Sequence, residues 1–189
     1  MTNLNEKFLA VEESMNHPLI EREDEIHTAL LALVCRFHHF QYGEPGIAKS
    51  LLVTTLCDHI EDLNGDYFEY LLTKFTTPEE VSGIMDLKAY RDEGIYRKVT
   101  TRKLPDAKVC FIDETLNGSS AILNTMLKIL NERKFDRGDL TVDVPLISMF
   151  GASNHIPHSA ELMALADRLH FWHFVKPIED PSKGTLFAL

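Results

Sequence analysis

Cysteine is scarce in this 189-residue chain, and long apolar runs are missing from it. The three cysteines form an odd count without paired spacing, which argues against a disulfide scaffold and favours reduced thiols. No stretch approaches the roughly 20 apolar residues that a membrane-spanning helix needs. The first residues also lack the basic start and apolar core of a secretory signal peptide. We therefore expect a cytoplasmic protein without a membrane span.

Basic side chains are in the minority. The chain has 19 Lys and Arg against 29 Asp and Glu, which gives a net charge of −10. Because affinity for nucleic acid depends on clustered basic side chains, this balance disfavours a nucleic-acid partner. One basic concentration lies within residues 97–108, and a solvated hairpin face explains it better than a docking patch.

Several catalytic signatures are missing as well. There is no Gly-x-Ser-x-Gly turn, and no cysteine has a local histidine partner, so nucleophilic hydrolase chemistry is disfavoured. Nine histidines are present, but none of their local groupings supplies a compact third ligand for zinc. Internal repeats and low-complexity tracts are also missing. A hydrophobic content of 44% suffices for one well-buried domain and leaves room for a second small one.

Residues 43–50 read Gly-Glu-Pro-Gly-Ile-Ala-Lys-Ser, close to the P-loop template Gly-x-x-x-x-Gly-Lys-Ser/Thr. The N–H groups of such a loop and of the helix after it bind phosphate. Lys49 would reach the β- and γ-phosphates, and the Ser50 hydroxyl would ligate Mg²⁺. Ala48 replaces the second glycine, and we expect ordinary helical angles there, so that the extra methyl group is tolerated. The alternative is a plain Gly-Pro turn before a helix.

Residues 109–114 form a short apolar run that ends in two carboxylates. This pattern predicts a buried parallel strand with acids at its carboxyl end, where open α/β sheets bind ligands. Asp113 would hold Mg²⁺ through water, and Glu114 would polarise the attacking water. Alone, such a run is more often a strand that enters a solvated turn, but a preceding P-loop favours a Walker B element. The residues that we assign to nucleotide binding are Gly43, Glu44, Pro45, Gly46, Ile47, Ala48, Lys49, Ser50, Leu51 and Asp113.

A third strand candidate, residues 144–151, leads into Asn154. An amide at this position could orient the attacking water between Glu114 and the γ-phosphate. Taken alone, an asparagine in a polar loop is the simpler interpretation, but the order of P-loop, acidic strand and Asn-ended strand favours the functional role. The remaining pattern alternates helices and strands, which predicts a parallel sheet covered on both faces. The other predicted helices are 20–36, 50–60, 120–132 and 161–167, and the other predicted strands are 38–42, 66–72 and 169–175.

Together these motifs resemble those of MoxR-family AAA+ ATPases, with the RavA-type subgroup most similar. The resemblance spans roughly residues 17–178 and includes the variant alanine of the P-loop. The matching segments are 43–50, 68–81, 111–114, 121–124, 130–133, 152–154 and 167–168. It implies a P-loop NTPase fold of the α/β class with sheet order 5-1-4-3-2.

The same resemblance assigns further roles. Asn154 would be the sensor 1 residue, and Arg168 would be an arginine finger that reaches a neighbouring subunit's nucleotide. A structural Asp167–Arg168 pair is the alternative for that arginine. Residues 83–107 would form the helix-2 insert, a hairpin that faces the pore of a ring.

The resemblance also implies a domain division and a function. Residues 1–16 would be a helical or flexible lead, 17–178 the ATPase core and 179–189 a tail, so the usual helical lid is either truncated or supplied in another way. The implied activity is ATP hydrolysis with Mg²⁺ in a homo-oligomeric, hexameric ring. The cycle would remodel a protein partner, of the von Willebrand factor A domain type, in a chaperone-like way. Two alternatives stay open: a nucleotide-gated binding module with little turnover, and a P-loop motor that acts on nucleic acid.

Overall fold

The computed structural model describes residues 3–61, 63, 65–155 and 160–179. The helices are α1 (Leu4–Asn16), α2 (Glu23–Cys35), α3 (Lys49–Asp58), α4 (Pro78–Ser82), α5 (Leu87–Glu93), α6 (Ser120–Glu132) and α7 (Ala160–Ala166). The strands are β1 (His39–Tyr42), β2 (Tyr67–Leu71), β3 (Ile84–Met85), β4 (Lys98–Val99), β5 (Val109–Asp113), β6 (Lys134–Asp136), β7 (Thr141–Asp143), β8 (Ser148–Ser153) and β9 (Phe171–Phe174). No helix in the described part of the chain is both long and apolar enough to cross a membrane.

Five strands form one sheet in the order β2-β5-β8-β1-β9, and every neighbouring pair is parallel. Numbered along the chain within this sheet alone, the order from the β9 edge is 5-1-4-3-2. The predicted α/β fold class is confirmed. All six residues of β8 are buried, as expected for a central parallel strand with helices on both faces.

Two apolar clusters pack on the opposite faces of the sheet. Side chains alternate along β5, so Ile112 packs with Met126 of α6 on one face, and Phe111 packs with Ile26 of α2 on the other. Helix α1 begins with a capping box between Asn3 and Glu6 and contributes the fully buried Met15 to the α2 and α3 side. The separation of residues 1–16 from the core stays a prediction.

His38, just before β1, and His39, its first residue, are buried, and each ring has a hydrogen-bond partner on one nitrogen. The backbone N–H of Met149 donates to Nδ1 of His38 at 3.0 Å, and Nε2 of His39 lies 3.1 Å from the Thr28 hydroxyl. Burial is the main cause that lowers the pKa of both histidines to about 3. Both rings are therefore neutral near pH 7.

Some elements differ from the predictions. The strand predicted at 144–151 begins only at Ser148, because Pro145 lacks the N–H that a ladder requires. The predicted insert hairpin is an antiparallel β3–β4 pair with α5 between its strands, and a second ribbon, β6–β7, was not predicted.

The basic concentration at residues 97–108 includes two residues with acidic partners. Arg97 pairs with Asp86 at 3.0 Å, and Lys108 pairs with Asp66 at 2.7 Å. These pairs support the interpretation as an ordinary polar surface.

Candidate functional site

The carboxyl ends of three adjacent strands bring most of the predicted site residues to one edge of the sheet. Tyr42 at the end of β1 pairs with Ser153 at the end of β8, and Ile112 of β5 pairs with Gly151 of β8. The P-loop, the acidic pair and Asn154 therefore all leave the sheet at this edge. Thr115 fixes the loop after β5, since its hydroxyl donates to Ile112 O at 2.6 Å and lies 3.2 Å from the donating Ala152 N–H.

The P-loop is held against the sheet at its first residue. The N–H of Gly43 donates to Ser153 O at 3.2 Å. A Cβ at Gly43 would collide with the carbonyl oxygen of Val175, so this position has no room for a side chain. Gly46 has φ of 80°, a left-handed angle that favours glycine. The loop thus needs glycine at 43 for space and at 46 for backbone conformation.

Ala48 contradicts one sequence-based expectation. Its backbone is left-handed, with φ 67° and ψ 26°, so the expectation of ordinary helical angles is wrong. The chain must turn at Ala48 so that α3 can start at Lys49, and the glycine of the template adopts this conformation without a Cβ clash. For an alanine the same conformation costs roughly 1–2 kcal/mol. The P-loop of this chain is therefore strained.

Lys49 is directed back over the loop. Its Nζ donates to Gly43 O at 2.7 Å and to Glu44 O at 2.8 Å, and only 9% of the residue is exposed. Burial lowers the pKa of Lys49, and the attraction of the Asp113 and Glu114 carboxylates opposes that shift. The ammonium group is thus already oriented within the loop, and both acids favour its charged form.

The acidic pair lies where β5 ends, with Asp113 in the strand and Glu114 in the turn that follows. Glu114 has a left-handed backbone, with φ 49° and ψ 41°, and its N–H donates to Asp113 Oδ1 at 2.9 Å. The Glu114 side chain is 19% exposed, and its Oε2 lies 3.4 Å from the donating Nδ2 of Asn117. Asp113 thus accepts from the backbone of the turn, while Glu114 is held by the Asn117 side chain.

The donor set also suits Mg²⁺. Ser50 lies in the first turn of α3, and Asp113 ends β5 at the same sheet edge. Hydroxyl and carboxylate oxygens are the hard ligands that Mg²⁺ prefers beside phosphate oxygens. These two side chains could therefore hold the ion.

Asn154 and Glu114 both lie beside a residue that we did not predict, His155. Asn154 Oδ1 is 2.7 Å from His155 Nδ1, and the same nitrogen is 3.9 Å from Glu114 Oε2. A histidine directly after the strand end was the available sequence signal.

The structure places Arg168 away from the other predicted residues. It is exposed on the turn between α7 and β9, and its Nε donates to Asn131 Oδ1 of α6. Within the described ranges it forms no ion pair with Asp167. Arg168 precedes Phe171, which pairs with His39 at the start of β1, so it lies toward the edge opposite the P-loop. It cannot complete the phosphate site of its own chain.

An apolar cleft of about 290 Å³ adjoins the P-loop. It is lined by Pro18, Leu19, Ile20, Arg22, Gly46, Ile47, Ala48, Leu51, Pro177 and Ile178. Nη2 of the buried Arg22 connects two walls of the cleft, because it donates to Ile47 O at 3.4 Å and to Lys176 O at 2.8 Å. A concave apolar surface beside a phosphate loop suits a flat aromatic base.

Comparison with known families identifies the domain. A family model described as the MoxR domain in the MoxR-vWA-beta-propeller ternary systems matches residues 6–187. The chain belongs to the MoxR family of AAA+ proteins. The match covers the P-loop, the acidic strand and Asn154 within one domain.

Similar proteins agree with this assignment. The MoxR domain is 39% identical over 178 residues to the uncharacterized protein MJ0079 of Methanocaldococcus jannaschii, covering 94% of this chain and 46% of that protein. It is 40% identical over 168 residues to MJ0812 of the same organism, covering 89% of this chain and 44% of that protein. The structural protein ORF618 of Acidianus two-tailed virus is 31% identical over 179 residues, covering 93% of this chain and 29% of that protein. The chain thus spans less than half the length of these relatives.

The fold is also similar to a solved structure. A presumed ATPase from Cytophaga hutchinsonii superposes with a TM-score of 0.70 at 18% identity, over 96% of the MoxR domain and 56% of that chain. At this identity the likeness shows the fold alone.

Proposed function

We propose that this MoxR domain binds ATP with Mg²⁺ and hydrolyses it. One observation carries the proposal: the buried Lys49 ammonium is held over the P-loop by the carbonyl oxygens of Gly43 and Glu44, at the sheet edge where β5 ends in acids, with an apolar cleft beside the loop. A base could occupy the cleft, and the phosphates would extend across the loop toward the acids. Bound Mg²⁺, held by Ser50 and Asp113, would neutralise phosphate charge.

Lys49 is preorganised for this task. In the free loop its ammonium protons are bound by the carbonyls of Gly43 and Glu44. Phosphate oxygens are stronger acceptors because they carry charge, so Lys49 would turn from these carbonyls to the β- and γ-phosphates. The Asp113 and Glu114 carboxylates favour the charged form of Lys49.

Glu114 is the proposed general base. Its carboxylate is only 19% exposed, so it is partly shielded from bulk water, and its Oε2 is close enough to Asn117 to be held in place. It would accept a proton from the attacking water while the Asn154 amide orients that water. A carboxylate at this position fits hydrolysis better than the alternative of a binding module with little turnover.

We extend the proposal to a closed, hexameric homo-oligomeric ring. Arg168 is exposed and lies toward the sheet edge opposite its own P-loop, so only a subunit packed head to tail could use it as an arginine finger. Asn131 holds its guanidinium group in the free chain. Both features support action on a neighbour.

We further propose that the cycle remodels a protein partner in the cytoplasm, as a RavA-type MoxR protein would. The matching family is described by its systems with vWA proteins, which supports a von Willebrand factor A domain partner. Large apolar side chains are exposed on residues 84–99 and in the β6–β7 turn, which supports protein contact there. They are Ile84, Leu87, Tyr90, Tyr96, Val99 and Leu140.

Binding is tested by Lys49→Ala, followed by calorimetry with ATP and Mg²⁺. We expect tight binding to be lost, because the variant leaves the phosphate charge facing only loop dipoles. Lys134→Ala, which removes an exposed lysine of β6, is the matched control and should bind like the parent. Equal affinity in all three proteins would refute the P-loop assignment.

Chemistry is tested by Glu114→Gln, which keeps the shape of the side chain but cannot accept a proton. ATP should stay bound while the turnover number falls by about 10² or more. Glu132→Gln, at the exposed end of α6, is the control and should leave turnover unchanged. Parental turnover in Glu114→Gln would exclude Glu114 as the base, and a parent that binds ATP without turnover would favour the binding-module alternative.

A further inference from the structure

His155 lies between the two side chains that would handle the attacking water. Its Nδ1 is 2.7 Å from Asn154 Oδ1 and 3.9 Å from Glu114 Oε2. We propose that His155 is a positioning residue for ATP hydrolysis, which acts by fixing the orientation of the Asn154 amide. This inference rests on the proposed function.

The chemistry of the contact determines where the proton is. An amide oxygen can only accept a hydrogen bond, so Nδ1 of His155 must carry the proton that it donates to Asn154. The amide oxygen is then directed at the ring, and the NH₂ group of Asn154 is left to donate elsewhere. Without the ring, the Asn154 amide could rotate and swap its oxygen and NH₂ group with little change in free energy. His155 thus makes Asn154 a donor toward the attacking water.

Ser153 fixes the backbone from which the His155 ring extends. Ser153 is fully buried at the end of β8, and its hydroxyl donates to His155 O at 2.9 Å and lies 3.4 Å from the donating His155 N–H. The side chain of His155 itself is 50% exposed. Its removal therefore leaves no buried cavity, and a change in activity would not follow from misfolding.

Glu114 lies near the same ring but is not hydrogen-bonded to it. His155 Nδ1 is 3.9 Å from Glu114 Oε2, which is too far for a hydrogen bond, and its proton is directed at Asn154. Asn117 Nδ2 donates to Glu114 Oε2 at 3.4 Å. Asn117 is therefore the donor that favours one orientation of the carboxylate.

The kinetic test compares His155→Ala with His155→Asn. The alanine variant should lower kcat roughly 10- to 100-fold with KM for ATP unchanged, because ground-state binding of the nucleotide does not use the amide orientation. Asparagine places an N–H donor near the position of Nδ1 and should recover most of kcat. His59→Ala, which removes an exposed histidine at the end of α3 distant from Lys49, should match the parent. Parental kcat in His155→Ala, or an equal loss in both His155 variants, would overturn the proposal.

A double variant tests whether the effect passes through Asn154. If His155 acts only by orienting that amide, His155→Ala should cause no further loss of kcat in the Asn154→Ala background. Independent, multiplicative losses would overturn the proposal.

A measurement without nucleotide separates this proposal from the proposed function. Long-range ¹H–¹⁵N spectra of the labelled full chain report the tautomer of each histidine ring, which the hydrogen bond of the ring sets. We expect the Nδ1–H tautomer for His155 in the parent and its loss in Asn154→Ala. A parent without ATP turnover would refute the proposed function, whereas an Nε2–H tautomer at His155 would refute the positioning contact whatever the turnover.

Discussion

Replacing Ala48 by glycine should relieve the strain that the P-loop carries. Ala48 has φ 67° immediately before α3, a conformation that a glycine adopts freely. Its side chain is exposed, so the variant removes a methyl group without opening a cavity in the core. The change therefore acts mainly on the backbone.

Two terms of opposite sign determine the result. Relief of the left-handed conformation should stabilise the fold by roughly 1–2 kcal/mol. The greater freedom of glycine in the unfolded chain should cost about 0.4–1 kcal/mol. We expect Ala48→Gly to change the free energy of unfolding by about 0 to +1.5 kcal/mol.

Ala10→Gly is the matched control, because Ala10 is exposed in the middle of α1 with helical angles. At this position only the cost of the greater freedom of glycine applies, so the free energy of unfolding of the variant should fall by roughly 0.5–1 kcal/mol. The unfolded-chain term is the same for both variants, and their difference isolates the left-handed cost of about 1–2 kcal/mol.

Urea unfolding monitored by circular dichroism would give both free energies, and calorimetry should show Tm of Ala48→Gly about 2–8 °C above that of Ala10→Gly. An equal loss of stability in the two variants would refute the left-handed assignment at Ala48 and restore the expectation of helical angles.

Two further predictions concern the ring and the buried histidines. Arg168→Ala should bind ATP like the parent but lose turnover by about 10³ or more, and activity should partly return on mixing with Lys49→Ala, because mixed rings can pair an intact loop with an intact finger. Parental turnover in Arg168→Ala would contradict the finger. His38 and His39 have a folded-state pKa of about 3 against 6.5, so the unfolded chain binds more protons between these values. The free energy of unfolding should therefore fall as pH drops below 6.5, by up to about 1.4 kcal/mol per pH unit for each ring. His38→Asn, whose amide oxygen can accept from Met149, should remove about half of this slope; an unchanged slope in pH-dependent urea unfolding would count against the buried neutral ring.

Much of the fold was predicted from local patterns of apolar residues. Helix α6 was predicted with the bounds that the structure has, because its apolar residues repeat at helical spacing along one buried face. The strand ending at Asp113 was recognisable because a strand buried on both faces reads as an apolar run. The β6–β7 ribbon was missed, since its short strands bury only Phe135 fully and leave little periodic signal.

Part of the candidate site was likewise predictable from local sequence. Residues 43–50 and the acidic pair were found from the sequence, because phosphate binding and acid placement impose residue types at fixed local spacing. Their meeting at one edge followed from the parallel strands. Both motifs could be predicted because each is contained in a short segment of the chain.

Tertiary structure alone decided the rest. The apolar cleft joins residues 18–22 to 177–178, which are distant in the chain and meet only when α2 and β9 pack beside the loop. The Asn154–His155 pair comes within 3.9 Å of Glu114 only because β8 lies beside β5 in the sheet. Ala48 was misjudged because its backbone angle is imposed by the closure of the loop between β1 and α3, and a residue type reports its own preference but not the constraint that its surroundings place on it.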